Sequence, residues 1–118
     1  MIISTSLEDI KKNLDTGETC VINLTAKWCS DCTDQAKNMT VFSDALQKQQ
    51  IDCYTLSVQS EKNVYLSPEH QDFTELLGGH GFPRTVLVIN GEIVDADNVE
   101  IISEAQLKAL SKVFLAQL

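Results

Sequence analysis

Residues 19 to 32 read Thr19-Cys20-Val21-Ile22-Asn23-Leu24-Thr25-Ala26-Lys27-Trp28-Cys29-Ser30-Asp31-Cys32. The first half, Thr19 to Thr25, is rich in β-branched and apolar residues and has no helical period, the pattern of a strand buried on both faces. Past Cys29 the period changes. Cys32, Ala36, Met39 and, after an offset, Leu46 fall on one helical face, so a buried strand delivers the chain to a helix whose first turn carries a C-x-x-C pair. Thr40 and Val41, followed by the potential cap Ser43, predict a break there and a second helical piece to about Gln49.

Upstream, Met1 to Ser4 suits a short edge strand. Thr5 with Glu8 reads as a capping box for a helix with Leu7, Ile10 and Leu14 on its apolar face, ended by Gly17. Downstream, Ile51 to Val58 is a further strand. Ser67-Pro68, cap then first-turn proline, opens a helix with Phe73, Leu76 and Leu77 as its buried face and Gly78 as its stop. Asn90-Gly91 between Thr85 to Ile89 and Glu92 to Val94 is a hairpin signal. Ser103 with Gln106 caps a last helix whose apolar face is Leu107, Leu110, Phe114 and Leu118.

The order is therefore βαβαβαββα. Such alternation places helices on both faces of a central mixed sheet, an α/β class. With 118 residues, no interdomain linker and no internal repeat, residues 1 to 118 form one domain. Nine Lys and Arg against seventeen Asp and Glu, a net charge of -8, argue against a phosphate-tracking surface, so no nucleic-acid partner is expected. The longest apolar run, Thr85 to Ile89, is too short to cross a bilayer, and no membrane partner is expected. Nothing near Met1 has a basic start followed by a long apolar core, which points to the cytoplasm; removal of a leader would move the expectation to the periplasm.

Four cysteines are too few for a disulfide-dense scaffold, and two stand as Cys29 and Cys32. At a helix start the first cysteine meets unpaired backbone N–H groups and the positive end of the helix dipole, which favour the thiolate. Cys32, one turn further in, is expected to be more buried and to resolve the mixed disulfide. A zinc site is the competing reading, but tetrahedral zinc needs two more ligands, and neither a second C-x-x-C nor an H-x-x-x-H is present; no metal is expected. An inert pair is the other alternative. Alternation puts Val21 and Asn23 on one face of their strand and Cys20 on the other; Cys20 and Cys53 begin neighbouring strands, and two buried thiols are the expected reading over a Cys20–Cys53 disulfide.

The run Ala26-Lys27-Trp28-Cys29-Ser30-Asp31-Cys32 after a strand, then Gly81-Phe82-Pro83, a strand and Asn90-Gly91-Glu92, resembles the thioredoxin family over nearly the whole chain. The resemblance implies a thioredoxin fold and thiol-disulfide oxidoreductase activity as a disulfide reductase. The cofactor is then the Cys29-Cys32 dithiol alone, and the substrates are disulfide-containing proteins or small molecules. It implies a thioredoxin reductase or similar protein as electron donor. It implies a cis bond before Pro83, a substrate segment paired with the backbone of Phe82, and Trp28 as a site wall.

Asp31 before the second cysteine is similar to cytosolic thioredoxin-related proteins, as are Glu61-Lys62, Pro68 and Asp72-Phe73. The break near Val41-Phe42-Ser43-Asp44 resembles periplasmic thiol-disulfide interchange domains. Three departures bear on tuning: Asn23 replaces the family's buried Asp, Arg84 follows Pro83 where threonine is common, and Ser30 replaces glycine or proline. Arg84 is read either as a solvated charge or as a cation that favours the Cys29 thiolate. His80 reads as a loop residue, and Gly78 and Gly81 as positions with unusual backbone angles. A binding module with a vestigial pair, or a redox sensor without turnover, are the alternative functions.

Overall fold

The computed structural model describes residues 2–118; Met1, included in the expected first strand, lies outside them. The elements run β1 (Ile2–Ser4), α1 (Leu7–Asp15), β2 (Cys20–Ala26), α2 (Ser30–Gln47), β3 (Asp52–Glu61), β4 (Val64–Tyr65), α3 (Pro68–Leu76), β5 (Arg84–Ile89), β6 (Glu92–Val99) and α4 (Glu104–Leu115). They form one six-stranded sheet in the order β1-β3-β2-β5-β6, with β4 paired to β3. β2 is central, parallel to β3 and antiparallel to β5, which is why its run of apolar residues is buried on both faces.

Alternation along β2 divides the interior in two. Cys20, Ile22 and Leu24 face Leu7 and Ile10 of α1 and Phe73 of α3. Val21 points the other way, with Cys53 and Leu87, into a second core of Met39, Phe42 and Leu46 from α2 and Leu107, Leu110 and Phe114 from α4. Cys20 and Cys53 are buried on opposite faces as free thiols, and burial pushes each up to about 12, so both stay protonated and inert at neutral pH.

Several boundaries differ from the sequence expectation. Ser6, not Thr5, caps α1, its hydroxyl accepting the Asp9 N–H at 3.1 Å. α2 continues without a break through Thr40 to Ser43. Within it, the Ser43 hydroxyl donates to the Thr40 carbonyl, and Phe42 is fully buried edge-to-face against Phe114 at 5.9 Å. Tertiary packing there outweighs the weak helix preference of β-branched residues. β3 runs three residues beyond Val58, since Lys62-Asn63 turns the chain back into β4, with Asn63 in the left-handed region at φ 64°. β6 continues to Val99. Leu76 is exposed and Thr74 takes the buried place, its hydroxyl donating to the His70 carbonyl at 2.8 Å. Leu118 lies beyond α4 and is exposed.

Asn90 and Gly91 both have positive φ, 52° and 81°, the backbone of the tight hairpin expected between β5 and β6.

Candidate functional site

The carboxyl end of β2 passes through Lys27 and Trp28 into α2, so the first helical turn stands at the end of the sheet's central strand. Cys29 is the N-cap of α2, with extended backbone (φ -83°, ψ 107°), and its sulfur accepts the backbone N–H of Cys32 at 3.1 Å. A thiolate here receives a charge-assisted hydrogen bond and the positive end of an 18-residue helix. The two sulfurs are joined as a disulfide, with the Cα atoms 5.3 Å apart. Against expectation, Cys32 is not the more buried: Cys29 is 4% exposed and Cys32 7%. Both sulfurs belong to the core cluster that holds Phe82 and Phe73.

Trp28 is 38% exposed, which sets it at the rim and not in the core. Its indole meets the ring of Phe82 edge-on at 6.4 Å, and Phe82 in turn meets the His80 imidazole at 5.3 Å. The Phe82–Pro83 peptide bond is cis, and both residues are buried. Trp28 Nε1 donates to the Gln59 side-chain oxygen at 2.7 Å; Gln59 is fully buried on the part of β3 that pairs with β4. His80 lies in a loop, as expected, and its ring against Phe82, like the buried Gln59, adds to the expected site. A buried glutamine on a strand and a histidine among glycines carry no periodic signal.

Arg84 is 5% exposed, so it is not a solvated charge. Its guanidinium donates to the carbonyls of Ala96, at 2.8 Å, and His80, at 3.2 Å. It occupies space left by Gly78, where a Cβ would fall 2.5 Å from Nη1, just past the carbonyl end of α3, whose dipole favours a cation. The second of these hydrogen bonds reaches the loop that carries His80 and Phe82. Gly78 and Gly81 have φ of 119° and 131°, conformations that suit glycine.

Beneath α2, Asn23 is held in a neutral network. Its amide donates to Gln35 Oε1 at 2.8 Å, its oxygen accepts from the Thr85 hydroxyl at 2.8 Å, and Gln35 Nε2 donates to the Ile101 carbonyl at 2.9 Å. No member can ionise in the physiological range. Among the described residues, no cluster of three or more His, Cys, Asp or Glu is placed to hold a metal.

Residues 4–110 match the AhpC/TSA family. The chain belongs to that family. Solved structures give the fold of this AhpC/TSA-family chain. Thioredoxin Mala s 13 of Malassezia sympodialis matches 96% of this chain and 92% of its own with a TM-score of 0.69 and 18% identity. Oxidised mitochondrial thioredoxin 3 of Saccharomyces cerevisiae matches 98% and 94% with a TM-score of 0.63 and 19% identity. Human ERp44 in its zinc-bound form matches 96% of this chain, at a TM-score of 0.67 and 17% identity, but the match spans only 31% of ERp44. No curated protein sequence matches. The AhpC/TSA chain thus has the thioredoxin fold, with a C-x-x-C pair at disulfide distance on it.

Asp31 occupies the second helical position of α2 and is half-buried. A carboxylate there suits the helix dipole but opposes a second negative charge on Cys29. At about 7 Å and an effective dielectric of about 40 to 80, the repulsion is about 0.6 to 1.2 kcal/mol. Asp31→Asn should therefore move the Cys29 thiolate titration, followed by ultraviolet absorbance, to lower pH. It should also make the dithiol a weaker reductant against a glutathione buffer. A titration that stays put or rises would remove the electrostatic role of Asp31.

Proposed function

We propose that this chain is a thiol-disulfide oxidoreductase that works as a disulfide reductase. The observation that carries the reading is the hydrogen bond from the Cys32 N–H to the Cys29 sulfur at the start of α2, because it stabilises the form of Cys29 that attacks. Cys29 thiolate attacks one sulfur of a substrate disulfide, forms a mixed disulfide and releases the other substrate sulfur, which takes up a proton. Cys32 then loses its proton and attacks Cys29, forming the Cys29-Cys32 disulfide and releasing the second substrate thiol. Two electrons pass from the dithiol to the substrate, and a donor such as a thioredoxin reductase returns them.

In this reading the dithiol is the sole cofactor, the site of action is the cytoplasm, and the substrates are disulfide-containing proteins or small molecules. The rings of Trp28 and Phe82 wall the site, and the backbone beside Pro83 receives an extended substrate segment. Arg84 tunes the site at one remove, through the loop it holds.

Insulin reduction driven by dithiothreitol tests the catalytic claim, and Cys32→Ser tests the order of steps. The reduced wild type should precipitate insulin chains catalytically. Cys32→Ser should stop at a covalent adduct on Cys29, visible by mass spectrometry. An inactive wild type whose partner binding does not depend on its redox state would favour the binding module, and binding that changes with oxidation would favour the sensor.

A further inference from the structure

Two neighbouring strands change character on one face as they approach the cysteines. On β2 this face runs Val21, Asn23, Thr25; on β3 it runs Cys53, Thr55, Ser57, in register as Val21 with Cys53, Asn23 with Thr55 and Thr25 with Ser57. The first rung is apolar core, and the next two are polar. A face that only had to support α2 would stay apolar, since each buried polar group there needs a partner. The Asn23 amide has its partners in Gln35 and Thr85, but Ser57 Oγ is buried and has none among the described residues.

A crevice runs along these rungs. Its inner part, about 150 Å³, lies between Asn23, Gln35 and Met39; its outer part, about 400 Å³, opens past Ser57 and Lys27. Cys32, Thr25, Thr55 and Ala36 line both parts. The volume is large enough for several waters, and hydroxyls on its wall, Ser57 among them, are suited to bind them. Among the described residues that line it Lys27 is the one charged side chain, and Asp31, next to Cys32 in sequence, does not line it.

We propose that this hydroxyl-lined crevice is the proton exit for Cys32: a base that enters from solvent, water or a small neutral base, accepts the Cys32 proton where no protein carboxylate is provided. The inference rests on the dithiol reading above. In the step, the S–H proton of Cys32 passes to the base in the crevice and the sulfur electron pair forms the bond to Cys29. The bond between Cys29 and the substrate sulfur breaks, and that sulfur leaves with the electron pair and is protonated in solution. The substrate sulfur is reduced and the dithiol oxidised. Thr25, Thr55 and Ser57 act as positioning residues for the base.

Ellman's reagent separates the two steps on the reduced full chain. A first thionitrobenzoate is released at a rate proportional to reagent concentration, when Cys29 is modified. A second is released independently of that concentration, when Cys32 displaces it. The second phase should rise with pH across about pH 5 to 8 without a carboxylate inflection, and it should increase linearly with added imidazole. Ala36→Leu, which fills the crevice from the exposed side of α2, should slow the second phase about tenfold or more and remove the imidazole dependence, with the first phase unchanged. Thr55→Val, which removes a hydroxyl and keeps the shape, should lower the imidazole dependence and serves if Ala36→Leu does not fold. An imidazole-independent second phase overturns the proposal. So does a wild-type rate in Ala36→Leu, or an inflection abolished by Asp31→Asn. Absence of any second phase, or of insulin reduction, would instead strike the dithiol reading itself.

Discussion

Cys29→Ser is expected to lower dithiothreitol-driven insulin reduction on the order of 10³-fold or more, since a serine hydroxyl is not a nucleophile toward disulfides at neutral pH. The fold should not share that loss. Serine is among the best N-cap residues, and its oxygen can accept the Cys32 N–H that the Cys29 sulfur accepts now. The proper reference is the reduced wild type, because closing a four-residue loop with a disulfide is worth about 2 kcal/mol in chain entropy. Against that reference the unfolding free energy from urea melts should change by less than about 0.5 kcal/mol. The remaining thiol, Cys32, sits at the third helical position and should not replace Cys29 in turnover. Turnover within about threefold of the reduced wild type would show that attack does not begin at Cys29.

Asn23→Asp is expected to make stability strongly dependent on pH. Asn23 is 3% exposed, and its Nδ2 donates to Gln35 Oε1 at 2.8 Å. An aspartate there sets a carboxylate oxygen against an acceptor, and Gln35 cannot turn its amide without giving up the bond from Nε2 to the Ile101 carbonyl. Only the protonated carboxyl can restore the missing donor, so burial and the facing oxygen both raise its folded pKa, by about 2 to 4 units above the unfolded value near 3.9. The sign follows from proton linkage: with the folded pKa above the unfolded one, the folded state binds more protons. The variant matches wild type best below about pH 4 and loses stability as pH rises to its folded pKa, by about 3 to 5 kcal/mol once fully ionised. Urea melts at pH 4 and pH 8, with wild type in parallel, measure the difference. A variant whose deficit is the same at both pH values would show that the network tolerates charge. Because Asn23 and Cys32 line the same cavity, the carboxylate that Asn23→Asp introduces should, on ionising, also add an inflection to the second thionitrobenzoate phase.

Much of this was legible in the chain itself. The apolar run of β2, the period change at Cys29, the caps Ser67 and Ser103 and the Asn90-Gly91 turn are local signals, so most elements and their order could be read without tertiary contacts. Alternation also set Cys20 apart from Val21 and Asn23, while the side taken by Cys53 follows from the register of β3 against β2. The local signals failed where packing competes with propensity. α2 runs through Thr40 to Ser43 because Phe42 is locked against Phe114, and the β3–β4 hairpin forms around Lys62-Asn63 without the glycine that usually announces such a turn.

Period and spacing within short windows are enough for the α/β alternation, β4 excepted, and for a C-x-x-C pair at the junction of a buried strand and a helix. Which side chains surround that pair depends on contacts between distant elements. Gln59 reaches Trp28 across 31 positions, Thr85 reaches Asn23 across 62, and Gln35 reaches Ile101 across 66. Asn23 and Gln35, held by those contacts, also line the crevice beside Cys32. A hydrogen bond or a cavity between elements far apart in the chain leaves no periodic trace, because it depends on how the sheet and helices pack and not on the conformation of any one segment.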